Sequence, residues 1–129
     1  MYENLFTFKV KNGEATIFCC DDSISGNIKI PNTIEGYPVT SIDAFAFYDC
    51  VSLKSITIPN SVEDIDDHAF EGCSSLISVT IPKSVASIGM CAFSNCTSLI
   101  NITMPNTVTN MEGNVFFGCL SLETITMYK

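Results

Sequence analysis

Residues 57–79 read TIPNSVEDIDDHAFEGCSSLISV, and residues 80–102 read TIPKSVASIGMCAFSNCTSLINI. The two stretches are equal in length, and they share an Ile-Pro pair, an Ala-Phe pair and a cysteine that is followed two positions later by Ser-Leu. A repeat of this length is typical of a solenoid, in which each copy forms one supersecondary unit and the units stack. The flanking sequence restates the pattern less regularly, so we expect the stack to extend over nearly the whole chain.

Within one copy the apolar residues change their spacing. Ile56 and Ile58 lie two positions apart, which is the spacing of a β-strand with one buried face. The apolar residues that follow have the spacing of one face of a short helix or 3₁₀ segment. These residues are Ala69, Phe70, Cys73 and Leu76. The pattern predicts an α/β solenoid, with a parallel sheet on one side and short helical or irregular segments on the other.

Composition limits the classes of partner. The 129 residues are nearly filled by the repeats, so we expect one domain over residues 1–129. Six Lys and Arg residues against 14 Asp and Glu residues give a net charge of −8, which argues against a nucleic-acid partner and against binding to anionic membranes. No apolar run approaches the ~18 residues of a membrane span, so no direct membrane insertion is expected.

The N-terminus begins Met1-Tyr2-Glu3-Asn4, without the basic start and apolar core of a signal peptide. This leaves two interpretations, a cytosolic chain or a piece of a longer protein, and we favour the second.

Four of the seven cysteines recur at the interval of the repeat, and they are Cys50, Cys73, Cys96 and Cys119. Equivalent residues on adjacent strands lie about 4.8 Å apart with parallel side chains, whereas a disulfide needs Cβ atoms that converge to about 3.8 Å. We therefore expect these four to be reduced, buried core residues. No cysteine pair has the C-x₂-C spacing of a zinc site, so we expect no metal. The seven glycines are scattered singly and form no phosphate-binding loop, so we expect no cofactor.

Residues 1–25 are predicted to form an N-terminal cap. Asn12-Gly13 is typical of a two-residue β-hairpin turn, and counting outward from it pairs Phe8 with Ile17 and Phe6 with Cys19. Residues 26–129 then hold about four to five repeats, interrupted at residues 35–38 by a surface excursion rich in Gly and Pro.

The motif Ile58-Pro59-x-Ser61-Val62, followed by Ala69-Phe70-x-x-Cys73-x-Ser75-Leu76, resembles the BspA-like class of leucine-rich repeats. The resemblance covers roughly residues 13–127. It implies a right-handed leucine-rich-repeat superhelix with the parallel sheet on its concave side. Members of that class are surface-displayed repeat proteins implicated in adhesion, so the resemblance also implies protein binding, cell adhesion and a cell-surface or secreted location.

No convergent set of catalytic residues is visible, so we expect no enzymatic activity. The single histidine, His68, recurs in a column with Phe45, Cys91 and Asn114, whose side chains share no chemistry. We interpret His68 as a solvated turn residue. The function expected is a non-catalytic binding module for a protein or glycan ligand. The alternative is a structural spacer segment of a longer repeat array.

Two columns of hydroxyl and amide side chains are predicted to face away from the core on the concave strands. They form a nearly uncharged surface, although the β-propensity of threonine explains its presence there equally well. The predicted binding residues are Ser55, Thr57, Ser78, Thr80, Asn101, Thr103, Thr124 and Thr126.

The last repeat is followed at once by the final strand, without a polar repeat to close the stack. Uncovered solenoid ends expose core side chains and a strand edge. We therefore expect either that the natural chain continues beyond Lys129 or that two copies form an end-to-end homodimer. The predicted contact residues are Phe116, Phe117, Leu122 and Ile125.

Overall fold

The computed structural model of the chain describes residues 5–20 and 23–129. Each turn of the chain contributes one longer strand and one short strand, and these belong to two different sheets. The strands are, in chain order, β1 (Phe6–Lys11), β2 (Glu14–Cys20), β3 (Gly26–Lys29), β4 (Thr33–Ile34), β5 (Tyr37–Ile42), β6 (Leu53–Thr57), β7 (Asp64–Ile65), β8 (Ser78–Thr80), β9 (Ser87–Ile88), β10 (Asn101–Pro105), β11 (Asn110–Met111) and β12 (Thr124–Tyr128).

The first sheet has five parallel strands in the order β3-β6-β8-β10-β12. The second sheet runs β1-β2-β5-β7-β9-β11, with β4 beside β5. Strand pairing keeps the register of the sequence repeat, because Thr57 pairs with Thr80 and Thr80 with Thr103. The predicted parallel β-solenoid and its columns are therefore confirmed.

The N-terminal hairpin is present, and it covers the end of the second sheet because β2 pairs with β5. Asn12 and Gly13 both have positive φ, as the predicted turn requires. The predicted register is wrong beyond Phe8, because an irregularity between Thr7 and Phe8 pairs Phe6 with Cys20. Cys19 is consequently exposed instead of facing the core. Sequence spacing carries no signal for such a bulge.

The turn segments, defined as residues 43–50, 66–73, 89–96 and 112–119, contain no α-helix. The helical part of the predicted α/β class is thus not confirmed for the described residues. The N–H groups of Phe45, Phe47 and Asp49 donate to carbonyls of the following turn, at 3.1, 2.7 and 2.8 Å. The N–H groups of the residues between them, such as Ala46 and Tyr48, donate instead to carbonyls three residues earlier in the same turn segment. An α-helix needs every one of these N–H groups for its own i−4 carbonyl, so stacking and helix formation exclude each other.

Two positions in each turn segment have the left-handed conformation, which also prevents a helix. One column holds Phe45, His68, Cys91 and Asn114, and the other holds Asp49, Gly72, Asn95 and Gly118, all with φ between 56° and 80°. In the second column an acidic or amide side chain alternates with glycine. A Cβ at Gly72 would collide with the Asp49 carboxylate, so the alternation gives each long side chain the space over a glycine.

The core lies between the two sheets and the turn segments, and a column of phenylalanines runs along it. Phe47, Phe70 and Phe93 are fully buried, and their rings stack with centroids 4.8 and 5.1 Å apart. Phe6 of the hairpin meets Phe47 edge-on at 6.0 Å and closes the N-terminal end of the column. Half-buried Phe116 forms the other end, 6.2 Å from Phe93.

The cysteine column lies beside the phenylalanines. Cys50, Cys73 and Cys96 are buried as predicted, whereas Cys119 is only half-buried because no further turn covers it. The Cys73 thiol donates to the Phe47 carbonyl at 3.1 Å, and Cys96 repeats this contact on Phe70 at 3.2 Å. These thiols act as small core residues with one satisfied donor each.

The surface excursion proves to be a tight hairpin. β4 pairs antiparallel with β5 through Glu35 and Gly36, which both have positive φ. Ile42 then pairs with Ile65 in the second sheet, so the insertion leaves the register of the stack unchanged.

Replacing Phe70 with alanine tests the phenylalanine column. The substitution removes a fully buried ring that contacts Phe47 and Phe93, so the free energy of unfolding should fall by about 3–5 kcal/mol. Val51→Ala is the control, because that apolar side chain is 55% exposed and its loss should change stability by no more than about 0.5 kcal/mol. Urea denaturation of both variants measures the difference. Equal losses in the two variants would contradict the assignment of the core.

Candidate functional site

The outward columns of the first sheet form what we call the threonine face. Strand pairing brings all eight predicted binding residues onto this face in two columns. One column is continued by Asn27 of β3, whose side chain accepts a hydrogen bond from the Ser55 hydroxyl at 2.8 Å. The other column is continued by Lys29, which is the charged end of this otherwise neutral surface.

A groove of about 400 Å³ lies on part of this face, between the outward side chains of β6 and β8. Its polar lining consists of Ser55, Thr57, Asn60, Ser78, Thr80 and Tyr128. The remaining predicted residues, Asn101, Thr103, Thr124 and Thr126, lie on the same face outside the groove. The structure thus divides the predicted set into a groove half and a flanking half.

Tyr128 is a groove residue that was not predicted from the sequence. Its hydroxyl donates to the Ile81 carbonyl at 2.6 Å, across the intervening strand β10. This bond holds the half-buried ring at the edge of the groove. A signal for it existed, because Tyr128 lies two positions after Thr126 and strand alternation places both side chains on one face.

The groove is chemically suited to neutral polar ligands. Its hydroxyls and the Asn60 amide can each donate or accept hydrogen bonds, and its described lining contains neither a carboxylate nor an ammonium group. The arrangement can therefore bind hydrogen-bonding groups such as sugar hydroxyls or peptide amides.

His68 lies in a turn as expected, but it is only partly solvated. Its ring is half-buried, stacks on Phe45 with centroids 4.7 Å apart, and pairs through Nδ1 with the Glu71 carboxylate. Tyr48 meets Phe45 edge-on at 5.4 Å. Because Phe45 and Tyr48 are about half exposed, these rings form a small aromatic cluster on the turn segments.

The turn-segment column that contains Tyr48 differs in exposure from one turn to the next. Phe117 and Tyr48 face solvent, but Ser94 is buried and its hydroxyl donates to the Asn114 carbonyl at 2.6 Å. A small side chain at this position turns inward where an aromatic ring cannot.

Several carboxylates lie close together on and beside the second sheet. Asp64 is half-buried there, and burial raises its pKa, with further contributions from the nearby Asp66, Glu63 and Asp43 carboxylates. Among residues 5–20 and 23–129 no group of His, Cys, Asp and Glu side chains is arranged to hold a metal ion. In the same part of the chain, no helix is long and apolar enough to cross a membrane.

The C-terminal end of the stack carries the predicted contact residues. Phe117 and Ile125 are 67% and 50% exposed, whereas Phe116 and Leu122 are half-buried against the core. Leu120 and Met127, which were not predicted, are also exposed at this end. Met127 continues the column of Met104 on the last strand of the sheet. Its place in that column was the sequence signal for its exposure, because no further strand among the described residues covers it.

The main chain at this end lacks the partners that earlier turns have. The N–H of Phe93 donates to Val115, but the equivalent N–H groups of Asn114, Phe116 and Gly118 have no partner among the described residues. The last turn segment therefore presents a row of donors without acceptors.

Comparison with known proteins identifies relatives that share this architecture. The family model described as "BspA type Leucine rich repeat region" matches residues 14–129 in six copies. A leucine-rich repeat protein from Bacteroides capillosus is 32% identical, with a TM-score of 0.85 over 97% of this chain and 95% of that one. The T. pallidum leucine-rich repeat protein is 26% identical, with a TM-score of 0.72 over 95% and 68% of the two chains.

A leucine-rich cell surface protein from Faecalibacterium prausnitzii shares the fold at 24% identity, with a TM-score of 0.72 over 93% of this chain and 37% of that one. A comparison with curated proteins found no match. The family match covers most of the chain and agrees with the columns, the hairpin cap and the strand register described above. The chain belongs to the BspA-type leucine-rich repeat family.

Proposed function

We propose that the chain is a non-catalytic binding module that recognises a protein or glycan ligand through the threonine face. The observation that carries the proposal is the groove of about 400 Å³ on that face, in which two columns of hydroxyls meet the fixed ring of Tyr128. Aromatic rings beside hydrogen-bonding groups give a site both contact area and orientation.

The face is separate from the residues that hold the fold together. Ile56 and Val79 on the same strands point inward and are buried, whereas Thr57 and Thr80 point outward and are exposed. Outward residues can thus carry a ligand specificity without changing the core.

The proposed setting is the outside of a cell, in an adhesion role. Support comes from the family and from the F. prausnitzii structure of the same fold, which is described as a leucine-rich cell surface protein. The alternative is a spacer segment in a longer array, which would need the solenoid but no ligand on the threonine face.

Thr57→Lys combined with Thr80→Lys tests the binding proposal. Two ammonium groups in the groove would block it and would have to be desolvated by a neutral ligand, so affinity should fall at least about tenfold. Both sites are exposed, so stability should change by no more than about 0.5–1 kcal/mol. Retention on immobilised extracellular-matrix proteins and on a glycan array measures binding and separates the two ligand classes.

The matched control is Thr97→Lys, which adds the same charge at an exposed threonine outside the groove. It should bind as the unmodified protein does. Equal binding by the double variant would move the site elsewhere, with the aromatic cluster of Phe45 and Tyr48 as the next surface to test. No retention of the unmodified protein on either matrix would favour the spacer.

We also propose that the C-terminal end pairs with the same end of a second copy. The row of unpaired N–H groups in the last turn segment cannot bond to an identical row, because both rows only donate. Among the described residues strand β12 pairs only with β10, so its other edge offers both donors and acceptors. A two-fold pairing of β12 edges would also cover Ile125 and Phe117 on both copies and close at a dimer.

Sedimentation at micromolar concentration tests this pairing. The protein should sediment as a dimer, and Phe117→Asp should shift it toward monomer because a carboxylate would be buried in the contact. Thr33→Asp, at an exposed site in strand β4 and far from this end, should leave the mass unchanged. A monomer at all concentrations, with no response to Phe117→Asp, would overturn the proposal.

A further inference from the structure

Two cysteines approach each other where the hairpin meets the first turn segment. Cys20 is the last residue of β2, and Cys50 is the first member of the cysteine column. Their Sγ atoms lie 2.9 Å apart although the residues are 30 positions apart in the sequence. Both side chains are buried, with exposed fractions of 8% and 3%.

Cys50 differs in this contact from the other members of its column. The thiols of Cys73, Cys96 and Cys119 each donate to a phenylalanine carbonyl of the preceding turn, at 3.1, 3.2 and 3.0 Å. At Cys50 the hairpin takes the place of a preceding turn, and its last residue brings a thiol to this position. The column spacing that argues against disulfides between its own members does not apply to Cys20, which lies outside the column.

We propose that Cys20 and Cys50 are a redox site, which oxidises to an intrachain disulfide that locks the hairpin cap to the first turn. The two sulfur atoms need to approach by only about 0.9 Å to reach the S–S bond length of about 2.05 Å. The hydrogen bond from the Cys20 thiol lowers the pKa of Cys50 and so favours the Cys50 thiolate. Local opening of the terminal hairpin gives the oxidant access to it.

The oxidant is a low-molecular-weight disulfide of the glutathione class. The Cys50 thiolate attacks one of its sulfur atoms, forms a mixed disulfide and releases one glutathione thiolate. Cys20 then loses its proton and attacks the Cys50 sulfur, forming the Cys20–Cys50 bond and releasing the second glutathione thiolate. The two cysteines together lose two electrons and two protons, and the oxidant is reduced to two glutathione molecules.

The bond would add a covalent link to the β2–β5 pairing, the contact of Phe6 with Phe47 and the contacts of Asp43, whose N–H donates to Ile17 and whose carboxylate pairs with Lys9. Terminal elements open more readily than the centre of a stack, and a covalent link removes that opening. It also restricts the unfolded chain by closing a loop between residues 30 positions apart. The disulfide would thus be reduced in reducing surroundings and would persist in oxidising ones.

The test compares the full chain after incubation with oxidised glutathione or with dithiothreitol, followed by maleimide labelling under denaturing conditions. Intact mass should show two fewer labels after oxidation with no added glutathione on those two sites, and peptide mapping should join Cys20 to Cys50. Thermal unfolding of the oxidised form should rise by about 5–10 °C, and reductant should reverse the rise.

Three single variants make the assignment specific. After oxidation Cys20→Ser should form no intrachain disulfide. Cys19→Ser and Cys73→Ser should still form the disulfide between Cys20 and Cys50 and so show two fewer labelled thiols than before oxidation. The thiol count remains informative even if Cys20→Ser is less stable, because it is read on unfolded protein. Seven labelled thiols after oxidation of the unmodified chain, or a linkage mapped to any other pair, would overturn the proposal.

Discussion

Each turn of this solenoid depends on the next one for three hydrogen bonds of its turn segment. The N–H groups of His68, Phe70 and Gly72 all reach carbonyls of the following turn segment, at 2.8–2.9 Å. The same three positions recur in each earlier and later complete turn. An isolated turn would leave these donors without protein partners, so the fold exists only as a stack.

This dependence explains which features were predictable. A stack repeats its environments at a fixed interval, so Phe47, Phe70 and Phe93 are evenly spaced in the sequence and form one row of stacked rings in the structure. The strand register and the threonine face were predictable for the same reason. Periodicity reports which residues share an environment, and it did so correctly even across the inserted hairpin at Glu35 and Gly36.

Periodicity does not report the backbone path inside one turn. Ala69, Phe70, Cys73 and Leu76 are spaced as on a helix, yet they point inward from a segment with left-handed residues at His68 and Gly72. The available signal was the alternation of Asp, Gly, Asn and Gly at positions 49, 72, 95 and 118, since these residue types tolerate that conformation best. The groove wall formed by Tyr128 was missed for a different reason, because it depends on one long side chain reaching across a neighbouring strand.

The two ends of the stack differ because the hydrogen bonds from one turn segment to another have a direction. The N–H groups equivalent to His68, Phe70 and Gly72 point toward the C-terminal end, whereas the first N–H of a segment, such as that of Asp66, donates to the preceding strand. The first turn therefore needs side-chain cover, but the last turn needs acceptors. At the first turn the hairpin supplies cover, with Phe6 against the phenylalanine column and Cys20 against Cys50. At the last turn the donors of Asn114, Phe116 and Gly118 point away from the described chain, next to the free edge of β12. The threonine face lies between these ends, but it is not independent of the C-terminal one, because Tyr128 of β12 lines its groove and bonds to the Ile81 carbonyl.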